Sequence, residues 1–236
     1  MSPTGAPPTP HYRETRAVFE RTARLLDGFY DADATGPRAH TKAQRRVRAL
    51  VHELAGFGSA RRPAHVAELG CGRADLGRAM LARLPAGSTL TGVDFSPTTL
   101  GIARRVCESL DARFAQADLR ALPFADRHFD LTLLINVLHH IEPDDQPLVL
   151  REAARVTRGA LIVEIKNQLH PYFALYHPGY VLNGPRIHPT RAGAVERTTV
   201  RCGLERTATR GTWGAAALSP LVVMRLDRAP GGLRAR

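Results

Sequence analysis

Val66-Ala67-Glu68-Leu69-Gly70-Cys71-Gly72-Arg73-Ala74-Asp75 joins a short apolar run to a turn with paired glycines, and then to a helix-like pattern. A strand ending in such a turn lets the backbone bend sharply with positive φ and approach a ligand with no Cβ in the way, as α/β chains do when they receive a nucleotide-like cofactor. About 20 residues further on, Leu90-Thr91-Gly92-Val93-Asp94 reads as a second strand ending in a carboxylate, placed to accept hydrogen bonds from both hydroxyls of a ribose. Ser96 and Pro97 follow it as an N-cap and a first-turn proline. Asp118 closes a third strand-like run, Arg113-Phe114-Ala115-Gln116-Ala117, and a fourth from Phe129 to Val137 leads into His139 and His140.

These residues stand as ordered blocks: ELGCG at Glu68 to Gly72, GVDFS at Gly92 to Ser96, ADLRALPFADRHFD at Ala117 to Asp130, and NVLHHI at Asn136 to Ile141. In that order the chain resembles the class I S-adenosylmethionine-dependent methyltransferases, and among them the small-molecule group of quinone and sterol methyltransferases. A dehydrogenase would share the first glycines and the acid but not the second pair of blocks, which ranks hydride transfer below methyl transfer. Ala74 stands where the family's glycine signature has its last glycine, and this calls for either an unstrained backbone there or a local adjustment.

The resemblance implies a Rossmann-like, doubly wound α/β fold: a mostly parallel seven-stranded sheet with an antiparallel last strand and helices on both faces. It also implies S-adenosylmethionine as cofactor and S-adenosylhomocysteine as product. Glu68 and the backbone of Gly70, Cys71 and Gly72 would hold the methionine part, Asp94 and Phe95 the ribose side, and Asp118 and the Leu119 amide the adenine. Asn136 would face the cofactor from the fourth strand or else serve the turn there. His140 is the candidate general base toward a hydroxyl or phenol, with packing as the alternative role for both histidines. Tyr30, His139, Tyr172 and Tyr176 are the candidate acceptor contacts, because the N-terminal helices and the aromatic segment 167–189 roof the acceptor site in the resembling enzymes.

At 236 residues the chain accommodates one α/β domain with a substantial core. Residues 1–10 read as a disordered, proline-rich lead and 11–228 as a single domain. Within it, 11–58 is a helical cover, 64–166 the cofactor core, 167–203 a substrate cover and helix, and 204–228 an edge hairpin, with 229–236 a frayed tail. Val47, Leu50, Val51 and Leu54 form one helical stripe within residues 40–57. Strands are expected near 64–69, 89–94, 112–116, 129–137 and 160–166, and helices near 73–84, 97–110, 144–156 and 190–202. Two further strands are expected near 204–210 and 218–227. Runs such as Leu131-Thr132-Leu133-Leu134-Ile135 suit strands buried on both faces of a parallel sheet.

No run is long enough to span a membrane and the N-terminus lacks a signal-peptide core, so the expectation is a cytoplasmic protein with no membrane partner. The three cysteines, Cys71, Cys107 and Cys202, are too scattered for a disulfide framework, and no metal spacing is present. The formal charge of +11 comes almost wholly from arginine, since Lys42 and Lys166 are the only lysines. Its dispersal along the chain points to compositional bias rather than phosphate binding. The segment Asn136-Val137-Leu138-His139 also differs from the acid- or asparagine-Pro-Pro-aromatic segment of amino-group base methyltransferases, and a Pro-Cys nucleophile is absent. Nucleic acid is therefore ranked below a small apolar or aromatic metabolite as substrate. A cofactor-binding protein that does not methylate, of cyclase or regulatory kind, is the alternative; the oligomeric state is open, a homodimer included.

Overall fold

The computed structural model describes residues 13–18, 20, 42–56, 62–171 and 187–229. The expected lead, the tail beyond residue 229, most of the aromatic cover, and Tyr30, Tyr172 and Tyr176 lie outside these residues. Residues 13–18 are helical. The elements that follow are α1 (Lys42–Ala55), β1 (His65–Leu69), α2 (Asp75–Leu81), β2 (Thr89–Asp94), α3 (Pro97–Val106), β3 (Ala112–Gln116) and β4 (Phe129–Leu134). After them come α4 (Gln146–Val156), β5 (Thr157–Lys166), α5 (Ala192–Val200), β6 (Leu204–Gly211) and β7 (Leu221–Arg228).

The strands form one seven-stranded sheet in the order β3-β2-β1-β4-β5-β7-β6. β1 to β5 pair in parallel, while β7 runs antiparallel to both β5 and β6. The final hairpin thus contributes β6 as the edge and inserts β7 beside β5. Because side chains alternate along a strand, each strand feeds two cores. Val66, Leu90, Leu131, Leu133, Ile162 and Val223 pack with α1, α2 and α3 on one face. Ala67, Leu69, Val93, Leu161, Val163 and Met224 pack with α4 and α5 on the other. The α1 stripe meets β5 and β7, burying Val47, Val51 and Leu54.

Several boundaries differ from the periodicity. β4 stops at Leu134 rather than Val137 because Asn136 adopts a left-handed backbone, φ 59. The helix expected from 73 starts at Asp75, since Ala74 is itself left-handed at φ 59 and ψ 26. α3 ends at Val106, beyond which shorter-range bonds such as Leu110 N to Cys107 O replace the helical ladder. β5 begins at Thr157, directly from the end of α4, and a register shift opposite Phe129 and Leu131 absorbs the difference.

A close contact between β1 and α2 sets how near that helix lies to the sheet. Glu68 points to the α2 face and is buried, with Oε2 accepting a hydrogen bond from Gly77 N at 2.9 Å. A glycine inside a seven-residue helix is unfavourable by propensity, so its presence needs a packing reason. A Cβ at Gly77 would fall 2.5 Å from Glu68 Oε2 and 2.7 Å from Leu90 Cδ1. The absence of a side chain is what lets α2 lie against the carboxyl and the β2 leucine.

Gly77→Ala is expected to lower stability by about 1–3 kcal/mol, the cost of forcing a methyl into a filled interface, outweighing a helix-propensity gain of about 1 kcal/mol. Urea denaturation measures it, and an unshifted midpoint refutes the contact. Burial pushes the Glu68 carboxyl up to about 8, with the Gly77 N–H working in the opposite direction. A raised folded-state value means that Glu68 contributes its full stability below the ordinary carboxyl range and loses it as pH rises toward 8. Glu68→Gln removes that titration, so the variant should gain on the parent by on the order of 1 kcal/mol per pH unit between pH 5 and 8. Parallel denaturation curves across that range check the sign.

Candidate functional site

The turn after β1 is tied to the end of β2 by consecutive amides. Gly70 N and Cys71 N both donate to Val93 O, at 2.7 and 2.9 Å, and Gly72 N donates to Asp94 Oδ2 at 3.0 Å. The turn is left-handed at Gly70, φ 69, where a Cβ would strike Val137 Cγ2 at 2.4 Å. At Gly72 a Cβ would meet nothing within 4 Å, so the backbone there faces open space. Cys71 fills a different need. Its side chain is buried against the site of Gly92, and burial pushes its thiol well up, which makes it a small packing group.

Asp94 closes the clamp, its Oδ1 accepting from Ser96 N at 2.9 Å. Burial pushes its carboxyl up, while the N–H groups of Ser96, Gly72 and Phe95 pull it back. Glu20 adds a further upward push and accepts from Thr98 Oγ1, which brings the N-terminal segment over the carboxyl end of β2. Phe95 is half-buried, and its carbonyl accepts from Gln116 Nε2 at 3.2 Å. Ser96 caps α3 by accepting from Thr99 N at 3.1 Å.

Asp118 lies beyond β3 with its carboxylate taken by Arg120. Oδ1 accepts from Arg120 N at 2.9 Å, Nε is 3.1 Å from both oxygens, and Nη2 donates to Oδ2 at 2.7 Å. Arg120 Nη1 also reaches Asp145 Oδ2 at 2.9 Å, and these acids hold its guanidinium charged. The Leu119 side chain packs on the core of the α4 face. Sequence reasoning missed Arg120, although an arginine two residues after a strand-end aspartate is a local signal for such a fork.

At the end of β4, Asn136 is exposed and its N donates to Glu164 Oε2 at 2.8 Å. Its Oδ1 accepts from Lys166 Nζ at 3.3 Å, and the same ammonium is 3.4 Å from Glu164 Oε1. His139 and His140 occupy a single 3-10 turn, Leu138–His140, with ring centroids 4.0 Å apart. His139 is buried, and burial followed by the charges of His140, Lys166 and His188 pushes it well down, so it is neutral at physiological pH. His140 retains partial exposure. Gln146 braces this turn, with Nε2 donating to Leu138 O at 3.3 Å, Ile141 O at 3.2 Å and His188 O at 3.3 Å.

The fold therefore brings Glu68, Gly70, Cys71, Gly72, Asp94, Phe95, Asp118, Leu119, Asn136, His139 and His140 to the carboxyl edge of one sheet. Gly77, Arg120, Gln146, Glu164 and Lys166 join them without having been anticipated. Among the described residues no cluster of His, Cys, Asp and Glu could hold a metal ion.

Comparison with known proteins agrees with this geometry. Residues 66–159 match the protein family described as "Methyltransferase domain". The demethylmenaquinone methyltransferase of Thermus thermophilus is 43% identical over 70 residues, which are 29% of this chain and 31% of that protein. This chain thus spans about a third of the length of that relative. The malonyl-[acyl-carrier protein] O-methyltransferase of Pseudescherichia vulneris is 28% identical over 202 residues, 86% of this chain and 70% of that one. The crystal structure of magnesium protoporphyrin IX methyltransferase from Synechocystis PCC 6803 with bound SAH shares the fold, with a TM-score of 0.70 and 17% identity over 92% of this chain and 99% of that one. The matched domain lies over the ordered blocks, and the chain builds around them the same fold as that solved methyltransferase.

Proposed function

We propose that this chain binds S-adenosylmethionine at the carboxyl edge of its sheet and transfers the methyl group to a small, largely apolar acceptor. The observation that carries this reading is the clamp between Asp94 and the Gly70–Gly72 turn, with open space above Gly72. A zwitterionic amino acid joined to a nucleoside needs such a set: backbone close enough to approach, a buried acid for a cation, and a second acid for ribose hydroxyls. Glu68 and the turn would hold the methionine part, Asp94 beside Phe95 the ribose, and the Leu119 amide the adenine. Asp118 would contribute mainly by fixing Arg120 and the loop, because its lone pairs already serve that guanidinium. The cofactor supplies a methyl on a sulfonium, a strong electrophile, so the protein's task is positioning and exclusion of water.

Asn136 marks the border between cofactor and acceptor, and His139 and His140 adjoin it. An acceptor that carries a proton would yield it to His140, whose partial exposure suits that role better than the buried His139. An acceptor that is already anionic needs no base. Tyr30, Tyr172 and Tyr176 are proposed to complete the acceptor's surroundings. Of the relatives named above, the demethylmenaquinone methyltransferase favours an acceptor with an apolar body, and the malonyl-[acyl-carrier protein] O-methyltransferase favours an acceptor oxygen. The arginine excess fits internal pairing more than nucleic-acid binding, since Arg120, Arg155 and Arg225 each fork onto a carboxylate of the same chain. Among the described residues no helix is long and apolar enough to cross a membrane.

Calorimetric titration with S-adenosylhomocysteine is expected to give saturable binding of one molecule per chain. Asp94→Ala should weaken it by roughly 1–3 kcal/mol, because it removes hydrogen bonds to a charged acceptor and also frees the Gly72 amide. Equal affinity in that variant would remove Asp94 from the cofactor site, and no binding by the parent chain would overturn the reading.

A further inference from the structure

The chain uses arginine for its structural ion pairs and keeps only two lysines. Arg120 meets Asp118 at 2.7 Å, Arg155 meets Glu152 at 2.7 Å and Arg158 meets Asp130 at 2.6 Å, all with directed forks. Lys166 behaves differently. It ends β5 with 16% of its side chain exposed, and its Nζ stands a loose 3.4 Å from Glu164 Oε1 and 3.3 Å from the exposed Asn136. Glu164, two residues earlier on the same face, is 1% exposed and already takes the Asn136 amide on its other oxygen. A compact ammonium with three donors, two of them engaged at long range, has one left for a further acceptor. The site it borders is the proposed acceptor space, since Asn136 and His139 flank it.

An apolar lip begins three residues beyond. Leu169 is 68% exposed, Trp213 59% and Leu218 71%, three of the five large hydrophobic side chains exposed among the described residues. They share one edge, because β7 runs antiparallel to β5 and returns the β6–β7 connection to the end of β5. Asn167 ties the two together by donating to Ser219 O at 3.1 Å and Ala217 O at 3.4 Å, and the His170 and Trp213 rings meet edge-on at 5.2 Å. A cation inside and apolar side chains outside match an amphiphile with one anionic end, and the chain's overall positive charge would draw it in.

We propose that the methyl acceptor is the ionised carboxylate of a hydrophobic carboxylic acid, held by Lys166 beside Asn136, and that the product is its methyl ester. This rests on the methyl-transfer reading above. One carboxylate oxygen supplies the electron pair of the new carbon–oxygen bond, while the carbon–sulfur bond breaks and its pair stays on sulfur. The carboxylate loses its negative charge, the sulfur its positive charge, and no proton moves.

The chain carries one tryptophan, Trp213, so its fluorescence reports binding at the lip. With S-adenosylhomocysteine present, so that nothing can react, the full chain is titrated with decanoate, decanol and decylamine. Decanoate is expected to bind at least tenfold more tightly than decanol, and decylamine more weakly than either. Lys166→Met should weaken decanoate at least tenfold and leave decanol within twofold, while Lys166→Arg restores part of the loss. The pair Glu164→Gln with Lys166→Met, which leaves no unpaired buried acid, should show the same loss in a folded protein. Equal affinity for decanoate and decanol, or unchanged decanoate affinity in either Met variant, overturns the proposal. If S-adenosylhomocysteine binds and the decanoate preference is absent, the acceptor assignment alone falls. If S-adenosylhomocysteine does not bind, the methyl-transfer reading falls and takes the acceptor role with it.

Discussion

Two acceptors at the end of β2 organise the whole carboxyl edge. Val93 O takes the amides of Gly70 and Cys71, and the Asp94 carboxylate takes those of Gly72 and Ser96. Buried backbone amides must find partners, and a turn pulled tight over a parallel sheet has no neighbouring strand to supply them. The carboxylate resolves this at the point where a ligand approaches. It also fixes the entry into α3, since Ser96 is held on one side by Asp94 and caps the helix on the other. A single acid thereby sets the separation between the turn after β1 and the helix after β2.

Sheet topology then decides which loops meet. The order β3-β2-β1-β4-β5 places β1 between β2 and β4, so the connections from β1 and β4 leave toward opposite faces and open a crevice between them. Val137, from the β4 side, lies where a side chain on Gly70 would have to be. The antiparallel β7 completes the edge by returning the β6–β7 connection beside the end of β5. That return joins the glycine turn, the histidine turn and the apolar lip along one rim, although they come from widely separated parts of the chain.

Charge in this protein is organised by pairing inside the fold. Arg120 links the loop after β3 to Asp145 at the start of α4, and Arg155 gathers Glu152, Asp126 and the carbonyls of Leu122 and Phe124. These forks hold the long connection between β3 and β4 against the sheet without a secondary structure of its own. Half-buried guanidinium pairs of this kind gain mainly in geometric definition, because the cost of removing charges from water offsets much of the attraction. The same cost outweighs its compensation at Glu68, whose hydrogen-bond partner is the neutral Gly77 amide, and its carboxyl rises accordingly.

Local physics made much of this legible in advance. Glycine pairs, strand-end acids and the N-cap at Ser96 are decided by backbone sterics and short-range hydrogen bonding, so the order of elements could be read from residue types and spacing, while the full sheet and the convergence of its loops came from the resemblance those blocks carry. The sequence by itself also placed Asp94 at the end of its strand, whereas the capture of the Gly72 amide by that carboxylate was decided by tertiary structure. What required tertiary structure was the partner chosen where several were available. Asp118 gives its oxygens to Arg120, Glu68 receives Gly77 through a helix glycine, and Glu164, Lys166 and Asn136 meet across two strands. Ala74 adopts a left-handed backbone that its residue type disfavours, because the turn between β1 and α2 leaves no other route. Spacing along the chain is blind to such choices, since they depend on which strands become neighbours and on how closely a helix is allowed to approach.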